Sequence, residues 1–319
     1  MKFLRRLKRS GLGSHPVEMD FRVARVTPQE PRERYLSMVC MARNEGRYFR
    51  EWIEFHRLVG VEHFAVYDNH SDDNTREILE PYRASGVVDI IPWPHFAPDY
   101  DTQAMAYNHA LSHFGPKSRW MAFLDLDEFL FSPRGDAISD VLRDYEDLPA
   151  LCIYWAMFGT SGHSNPVDAT LIENFTQRAR FPQIPVKDPI LANYKSVVQP
   201  HLVLRNRGAH NFIVDADGSS GFDETRRKIW RKAPRQVTAE RLRINHYYTK
   251  SLAEWRARFG RTEGPGTPSR DAFLRAAFEK VERGQVEDDT IQHYLPALKA
   301  ALGKHCKPSR AMDSAAKLT

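Results

Sequence analysis

Cysteine is scarce in this chain: three residues in 319, at positions 40, 152 and 306, an odd number at wide spacing. That excludes a disulfide framework and any paired-cysteine zinc pattern. Cys40 and Cys152 sit inside apolar, strand-like runs and read as small core residues, which fits a reducing compartment. Long hydrophobic runs are missing as well, since no window reaches the roughly 18 apolar residues that a membrane span needs. The opening MKFLRRLKRS has neither the uninterrupted apolar stretch nor the small-residue cleavage site of a secretory signal. The expectation is a soluble, cytoplasmic protein. Lys2, Arg5, Arg6, Lys8 and Arg9 then form a solvated end, or a peripheral contact with the inner membrane face through Phe3, Leu4 and Leu7.

Internal repeats and low-complexity tracts are also absent. A net charge of +5 and an isoelectric point near 9.0 favour anionic ligands, but the basic residues are scattered without aromatic interleaving. A nucleic-acid partner is therefore not expected. What is present is a composition that can build a core, with 42% hydrophobic residues over 319 positions.

Those residues come in an alternating pattern. YLSMVCMA (35–42) is a compact apolar run, and Phe49, Trp52, Ile53, His56 and Val59 then recur at helical spacing before Gly60. HFAVYD (63–68) is a second run, followed by an amphipathic stretch that Ser71 or Asp72 can cap. GVVDIIPW (86–93) predicts a third strand, Thr102 to Phe114 a helix, and residues 120–131 a fourth strand. Apolar runs alternating with amphipathic helices predict parallel strands covered on both faces, an α/β doubly wound unit that binds ligands beyond the carboxyl ends of its strands. The second half is looser, with strands expected at 151–159, 196–205 and 241–248 and helices from Leu252 onward.

The run WMAFLDLDEFLF (120–131) raises a chemical question, because it puts Asp125, Asp127 and Glu128 at the end of a core strand. Residues two apart on a strand share a face, so Asp125 and Asp127 are expected to project together. Apolar neighbours on both sides imply burial, and unpaired buried carboxylates are costly. A divalent cation, with substrate phosphates completing its shell, resolves that cost. Polar residues also gather at two other strand ends: Arg43, Asn44 and Glu45 after the first, and Asp68, Asn69, Ser71, Asp72 and Asp73 after the second.

Taken in order, VCMARNEGRYFREWIEFHRLVGVEHFAVYDNHSDDNT, AYNHAL, WMAFLDLDEFLF, FGTSGH, KSVVQPHLV and INHYYTKS resemble the GT-A fold glycosyltransferases of the family-2-like and family-92-like (DUF23) group. The resemblance runs from about Tyr35 to Ser251. It implies a GT-A (Rossmann-like) doubly wound mixed sheet with helices on both faces, holding a nucleotide-sugar, usually a uridine diphosphate sugar. It further implies that Arg43, Asn44, Glu45, Asp68 and Asn108 border the nucleotide-sugar. Asp125 and Asp127 would form the metal and ribose end with Mn²⁺ or Mg²⁺, Lys195 would reach a phosphate, and His246 would be a further metal ligand or phosphate contact.

On that basis residues 1–33 are a basic extension, 34–250 the transferase domain, 251–305 a helical C-terminal addition and 306–319 a disordered tail. The bridging metal stabilises charge on the departing diphosphate. An inverting enzyme also needs a carboxylate to take the proton of the acceptor hydroxyl, whether that hydroxyl lies on a glycan or a lipid-linked acceptor. Asp168, Glu173, Asp215 and Asp223 are the candidates, with Glu173 preferred because it follows a loop that Trp155, Phe158 and His163 would line for an acceptor. A nucleotidyltransferase is disfavoured, because MARNEGRYF holds only one glycine where a phosphate loop needs several. An inactive sugar- or nucleotide-binding module is the remaining alternative.

Overall fold

The computed structural model describes residues 21–94, 101–230, 233–258 and 268–305. The basic stretch with Phe3, Leu4 and Leu7 and the tail from 306 lie outside the described residues. No helix among the described residues is long and apolar enough to cross a membrane.

Ten strands make the main sheet. They are β1 (Arg34–Ala42), β2 (His63–Asp68), β3 (Val88–Pro92), β4 (Ser118–Phe123), β5 (Glu128–Phe131), β6 (Ala150–Met157), β7 (Tyr194–Val198), β8 (Gly221–Phe222), β9 (Lys228–Ile229) and β10 (Arg243–His246). Their order is β9-β8-β6-β7-β4-β1-β2-β3, with β10 joined to β6 and β5 joined to β10. β1, β2, β3 and β4 are mutually parallel, while β7 runs antiparallel to both β4 and β6. The sheet is thus the expected mixed one.

Alternation along β1 explains why its run is apolar throughout. Met38 and Cys40 belong to a core that includes Phe49, Trp52 and Phe55 of α1 (Gly46–Leu58) and Leu79 and Tyr82 of α2 (Thr75–Ala84). Val39 belongs to a second core, with Tyr107, Ala110 and Leu111 of α3 (Thr102–His113). Helices cover both faces, so neither side of the strand meets water. Trp52 is 0% exposed, and truncating a side chain of that size in such a core costs about 3–5 kcal/mol.

His56 lies in that core with both ring nitrogens used. Its Nδ1 donates to the Trp52 carbonyl at 2.8 Å, and its Nε2 accepts the Leu130 amide at 3.1 Å. Burial pulls its pKa down to about 3, so it is neutral and structural.

After β4 come α4 (Ile138–Arg143), the short α5 (Leu171–Asn174), α6 (Leu252–Arg256), α7 (Pro268–Glu282) and α8 (Leu295–His305). Ala277, Val281, Ile291 and Leu298 from this C-terminal region join the same core as Phe49 and Trp52. Asp288 fastens it from outside the core, bonding Arg178 Nε at 2.6 Å and Arg243 Nη1 and Nη2 at 3.0 and 2.9 Å.

Candidate active site

The carboxylates of 125–128 do not lie on a continuous strand. β4 ends at Phe123, β5 begins at Glu128, and a tight turn joins them. The Glu128 amide donates to the Asp125 carbonyl at 3.1 Å, and the Glu128 carboxylate accepts the Asp125 amide at 2.9 Å. Leu124 and Leu126, both buried, anchor the turn on either side of Asp125. The expected single strand over 120–131 is therefore corrected to two. Its apolar pattern is unbroken because the turn itself is nailed into the core. Asp125 and Asp127 nonetheless face one cleft.

That cleft has a volume of about 380 Å³ and is lined by Met41, Glu45, Gln103, Asp125, Leu126, Asp127, Trp155, His210, His246, Tyr248 and Arg258. Its size falls in the range of small-molecule sites. Cations come to the acids from two other segments, and an imidazole from a third. Lys195 of β7, 0% exposed, places Nζ 2.8 Å from Asp125 Oδ2 and 3.5 Å from Glu128 Oε2. Lys250 Nζ and Arg258 Nη2 reach Asp127 Oδ2 at 3.2 and 2.8 Å, and His246 Nε2 lies 3.4 Å from Asp127 Oδ1. Gln103 of α3 donates to Asp125 Oδ1 at 2.8 Å.

The segment bearing Lys250 and Arg258 is built to hold them there. Lys250 adopts a left-handed backbone (φ 51°), a sparsely populated conformation for a lysine, and its ammonium stands 4.7 Å over the Tyr48 ring. Ser251 then caps α6 through a reciprocal capping box with Glu254, and Tyr48 donates to the same glutamate. Arg258 follows the helix, 5.0 Å over Tyr248 and 5.7 Å over Trp255.

Protonation follows from these contacts. Burial alone would raise Asp127, but Lys250, His246 and Arg258 hold its carboxyl well below the usual range. Burial opposes Asp125 likewise, and Lys195 brings it down. Glu45 and Glu128 are pushed up by burial, against the pull of Lys250 and Lys195 respectively. Burial and the nearby Lys195 take His210 down to about 3, so its imidazole is neutral.

Among the described residues no three His, Cys, Asp or Glu side chains stand together as a ready metal site. The donor types in the cleft still suit a hard cation, since such ions are held by one or two carboxylates while phosphates complete the shell. Asp125, Asp127 and His246 supply carboxylate oxygens and an imidazole at one wall.

Other expected site residues fall elsewhere. Asp68 has a fully covered side chain, and its oxygens accept the Ser71 amide and Arg76 Nε, each at 2.9 Å. Asn44 Oδ1 accepts the Asp72 backbone amide at 2.9 Å, and the Asn44 backbone amide donates to Ser71 Oγ at 3.0 Å. Asp73 accepts the Gly46 amide at 2.9 Å. An added Cβ on Gly46 would come within 2.6 Å of Asn74 Oδ1 and 3.0 Å of the Thr75 nitrogen, so the glycine is what lets the two loops close. The polar residues after β1 and β2 thus knit those loops together, and only Glu45 of residues 43–45 lines the cleft. Arg43 is exposed, and Asn108 sits on α3 away from the lining.

Lys195 grips the acidic turn from below, where the sequence expected it to meet a phosphate. None of the four expected bases lines the cleft. Glu173 pairs with Lys299, Asp168 is exposed near Arg47, Asp215 pairs with Lys228, and Asp223 binds Thr225 and Arg227. Of the expected acceptor-loop residues, Trp155 does line it, whereas Phe158 is core and His163 bonds the Asn174 carbonyl. Gln103, His210 and Arg258 line the cleft and Lys250 pairs with Asp127 beside it, and sequence reading missed all four.

A mixed sheet with an acidic turn facing a polar cleft at its centre is the GT-A glycosyltransferase architecture. The model of glycosyltransferase family 92 matches residues 37–256, more than two thirds of the chain, and the chain belongs to that family. A family 92 protein of Oryza sativa subsp. japonica is 31% identical over 174 residues, covering 53% of this chain and 28% of that protein. A second, of Ricinus communis, is 26% identical over 226 residues, covering 69% of this chain and 36% of its own. The chain thus spans about a third of the length of these curated relatives. Galactan β-1,4-galactosyltransferase GALS2 of Arabidopsis thaliana is 32% identical over 126 residues, covering 36% of this chain and 24% of that protein. Among solved structures, S. aureus TarS 1-349 aligns over 76% of this chain and 70% of its own at 11% identity, with a TM-score of 0.36.

Proposed function

We propose that this chain transfers a sugar from a uridine diphosphate sugar to a hydroxyl of a glycan or lipid-linked acceptor, with inversion, using Mn²⁺ or Mg²⁺. The observation that carries the reading is the convergence of Asp125, Asp127, His246 and Arg258 on one polar cleft, with Lys250 paired to Asp127 beside it. Asp127 and Asp125 would hold the cation with His246, and the cation when bound supplies electrophilic stabilisation to the departing diphosphate. Lys250 and Arg258 already sit on Asp127 as they would on a phosphate. A bound diphosphate would take those two cations over from the carboxylate and leave Asp127 available to hold the cation. Charge-assisted contacts of this kind are the strong ones, and a guanidinium suits phosphate geometry.

Glu45 lines the cleft, its carboxylate has no hydrogen-bond or ion-pair partner among the described residues, and burial raises its pKa, the direction a general base needs. In this reading it takes the acceptor proton. The galactan β-1,4-galactosyltransferase relatives make galactose the first sugar to screen. A β-linked product from an α-linked nucleotide sugar requires inversion, which supports that part of the proposal.

The test is thermal stability of the wild type and Asp127→Asn with uridine diphosphate, each with Mn²⁺ and with chelator. Ligand at about 100 times its dissociation constant stabilises by roughly 2.7 kcal/mol. The expected result is a metal-dependent gain that Asp127→Asn removes. A wild type that uridine diphosphate does not stabilise under any metal condition overturns the reading and favours an inactive module.

A further inference from the structure

His246 stands between two carboxylates. Its Nε2 faces Asp127 in the cleft, and its Nδ1 lies 3.7 Å from Glu128 Oε1 on the buried side. Both of these buried atoms, His246 Nδ1 and Glu128 Oε1, lack a hydrogen-bond partner among the described residues. Leaving a buried donor or acceptor unsatisfied is expensive, so a pair of orphans facing each other is a bond awaiting its occasion. The fold puts them there, because His246 and Glu128 are directly opposite in the antiparallel pairing of β10 with β5. Packing then fixes the ring, with Trp155 at 4.5 Å and Tyr248 at 5.2 Å, both edge-on. The carboxylate is fixed as firmly. Its other oxygen, Oε2, accepts the Asp125 amide at 2.9 Å and faces Lys195 Nζ at 3.5 Å.

We propose that Glu128 is a positioning residue that accepts a hydrogen bond from the Nδ1–H of His246, favouring the tautomer whose Nε2 lone pair is turned toward Asp127 and would be free to ligate a divalent cation in the cleft. The inference rests on the donor-site reading above. A histidine ligand typically donates its second N–H to a carboxylate, which sets the tautomer, aims the ring and strengthens the ligand. Glu128 thereby serves two ligands at once, since it also ties down the backbone of Asp125.

Glu128→Gln separates this role from packing. The amide oxygen keeps the bond to the Asp125 N–H, and the amide nitrogen then points at His246 Nδ1. A donor there demands a lone pair on Nδ1 and moves the proton to Nε2, where it blocks ligation. Mn²⁺ binding in the presence of uridine diphosphate, read by electron paramagnetic resonance of the free ion, is expected to weaken about 10- to 100-fold in Glu128→Gln. His246→Ala is expected to weaken it similarly, and adding Glu128→Gln to His246→Ala to cost nothing more. Equal affinity in Glu128→Gln and wild type, or full additivity in the double variant, overturns the proposal.

A second measurement needs no variant. Nitrogen-15 NMR of the histidine rings in the wild type with diamagnetic Mg²⁺ and uridine diphosphate is expected to show His246 protonated at Nδ1 and without a proton at Nε2, and the opposite tautomer in the loaded protein overturns the proposal even if Glu128→Gln does not fold. If the wild type binds no divalent cation with uridine diphosphate, the donor-site reading fails and the proposal with it, whereas binding with the proton on Nε2 overturns the Glu128 role alone.

Discussion

Glu51 offers a prediction that depends on burial alone. It is 6% exposed within α1, and its carboxylate caps the start of α5, accepting the Leu171 amide at 2.8 Å and the Ile172 amide at 3.1 Å. Burial pushes its pKa from 4.5 to about 7, the two amide bonds only partly opposing the shift. An acid whose folded pKa is raised stabilises the fold fully below its unfolded pKa, and that contribution is lost as pH rises through the folded value. The window is therefore pH 4.5 to about 7. At 1.36 kcal/mol per unit, the loss across it is about 3 kcal/mol. Glu51→Gln cannot ionise, so it escapes this loss, although it gives up one of the two amide bonds. Urea unfolding of both proteins at pH 5 and pH 8 isolates the effect, because every other titrating group is shared. The stability difference should move by about 3 kcal/mol in favour of Glu51→Gln between the two pH values. Parallel profiles would refute the argument and show that the amide bonds keep Glu51 charged at little cost.

Other predictions concern the site and its frame. Arg258→Met should weaken uridine diphosphate binding by roughly 1.5–3 kcal/mol, the worth of a hydrogen bond to a charged group, and leave uridine binding unchanged; calorimetry with the two ligands separates them. Lys250→Met should behave alike. Glu45→Gln should lower turnover about 10²- to 10⁴-fold with little change in uridine diphosphate affinity, and a loss confined to affinity would instead make Glu45 a donor contact. Asp288→Asn leaves Arg178 and Arg243 facing a neutral amide and should cost about 3–5 kcal/mol in urea unfolding, because Arg243 is buried.

The first half of the fold was legible because burial on both faces writes long apolar runs. The run predicted at 35–42 became the Arg34–Ala42 strand, and the run at 63–68 became His63–Asp68 unchanged. The same physics hid the turn at 124–127. Leu124, Leu126 and Phe129 are all buried, so the hydrophobic pattern crosses the turn without a break, and no glycine or proline marks it. The later strands were blurred for a different reason. The expected strand at 196–205 stops at Val198, where Pro200 opens a 3-10 turn, and the chain resumes only as the two-residue strand Arg205–Asn206.

The site was legible at its acids and not at its cations. Asp125 and Asp127 announce themselves because charge inside an apolar run has no cheap structural explanation. Lys195 is marked only by the family resemblance and for a different contact, while Lys250 and Arg258 look like ordinary surface residues until the fold brings 123 and 131 positions of chain separation down to contact. The polar residues after β1 and β2 misled in the opposite sense. They cluster at the carboxyl edge of the sheet, as a ligand site would, yet Asn44 and Asp73 spend their bonds closing the two loops on each other, and Asp68 spends its bonds on Ser71 and Arg76 of its own segment. Position at a strand end therefore identifies the edge where chemistry occurs, and only the bonds already satisfied there separate the residues that build the edge from those left to meet a ligand. By that criterion Glu128, His246 and Trp155 stand apart: Glu128 Oε1, His246 Nδ1 and Trp155 Nε1 are buried in or beside the cleft without a hydrogen-bond partner among the described residues.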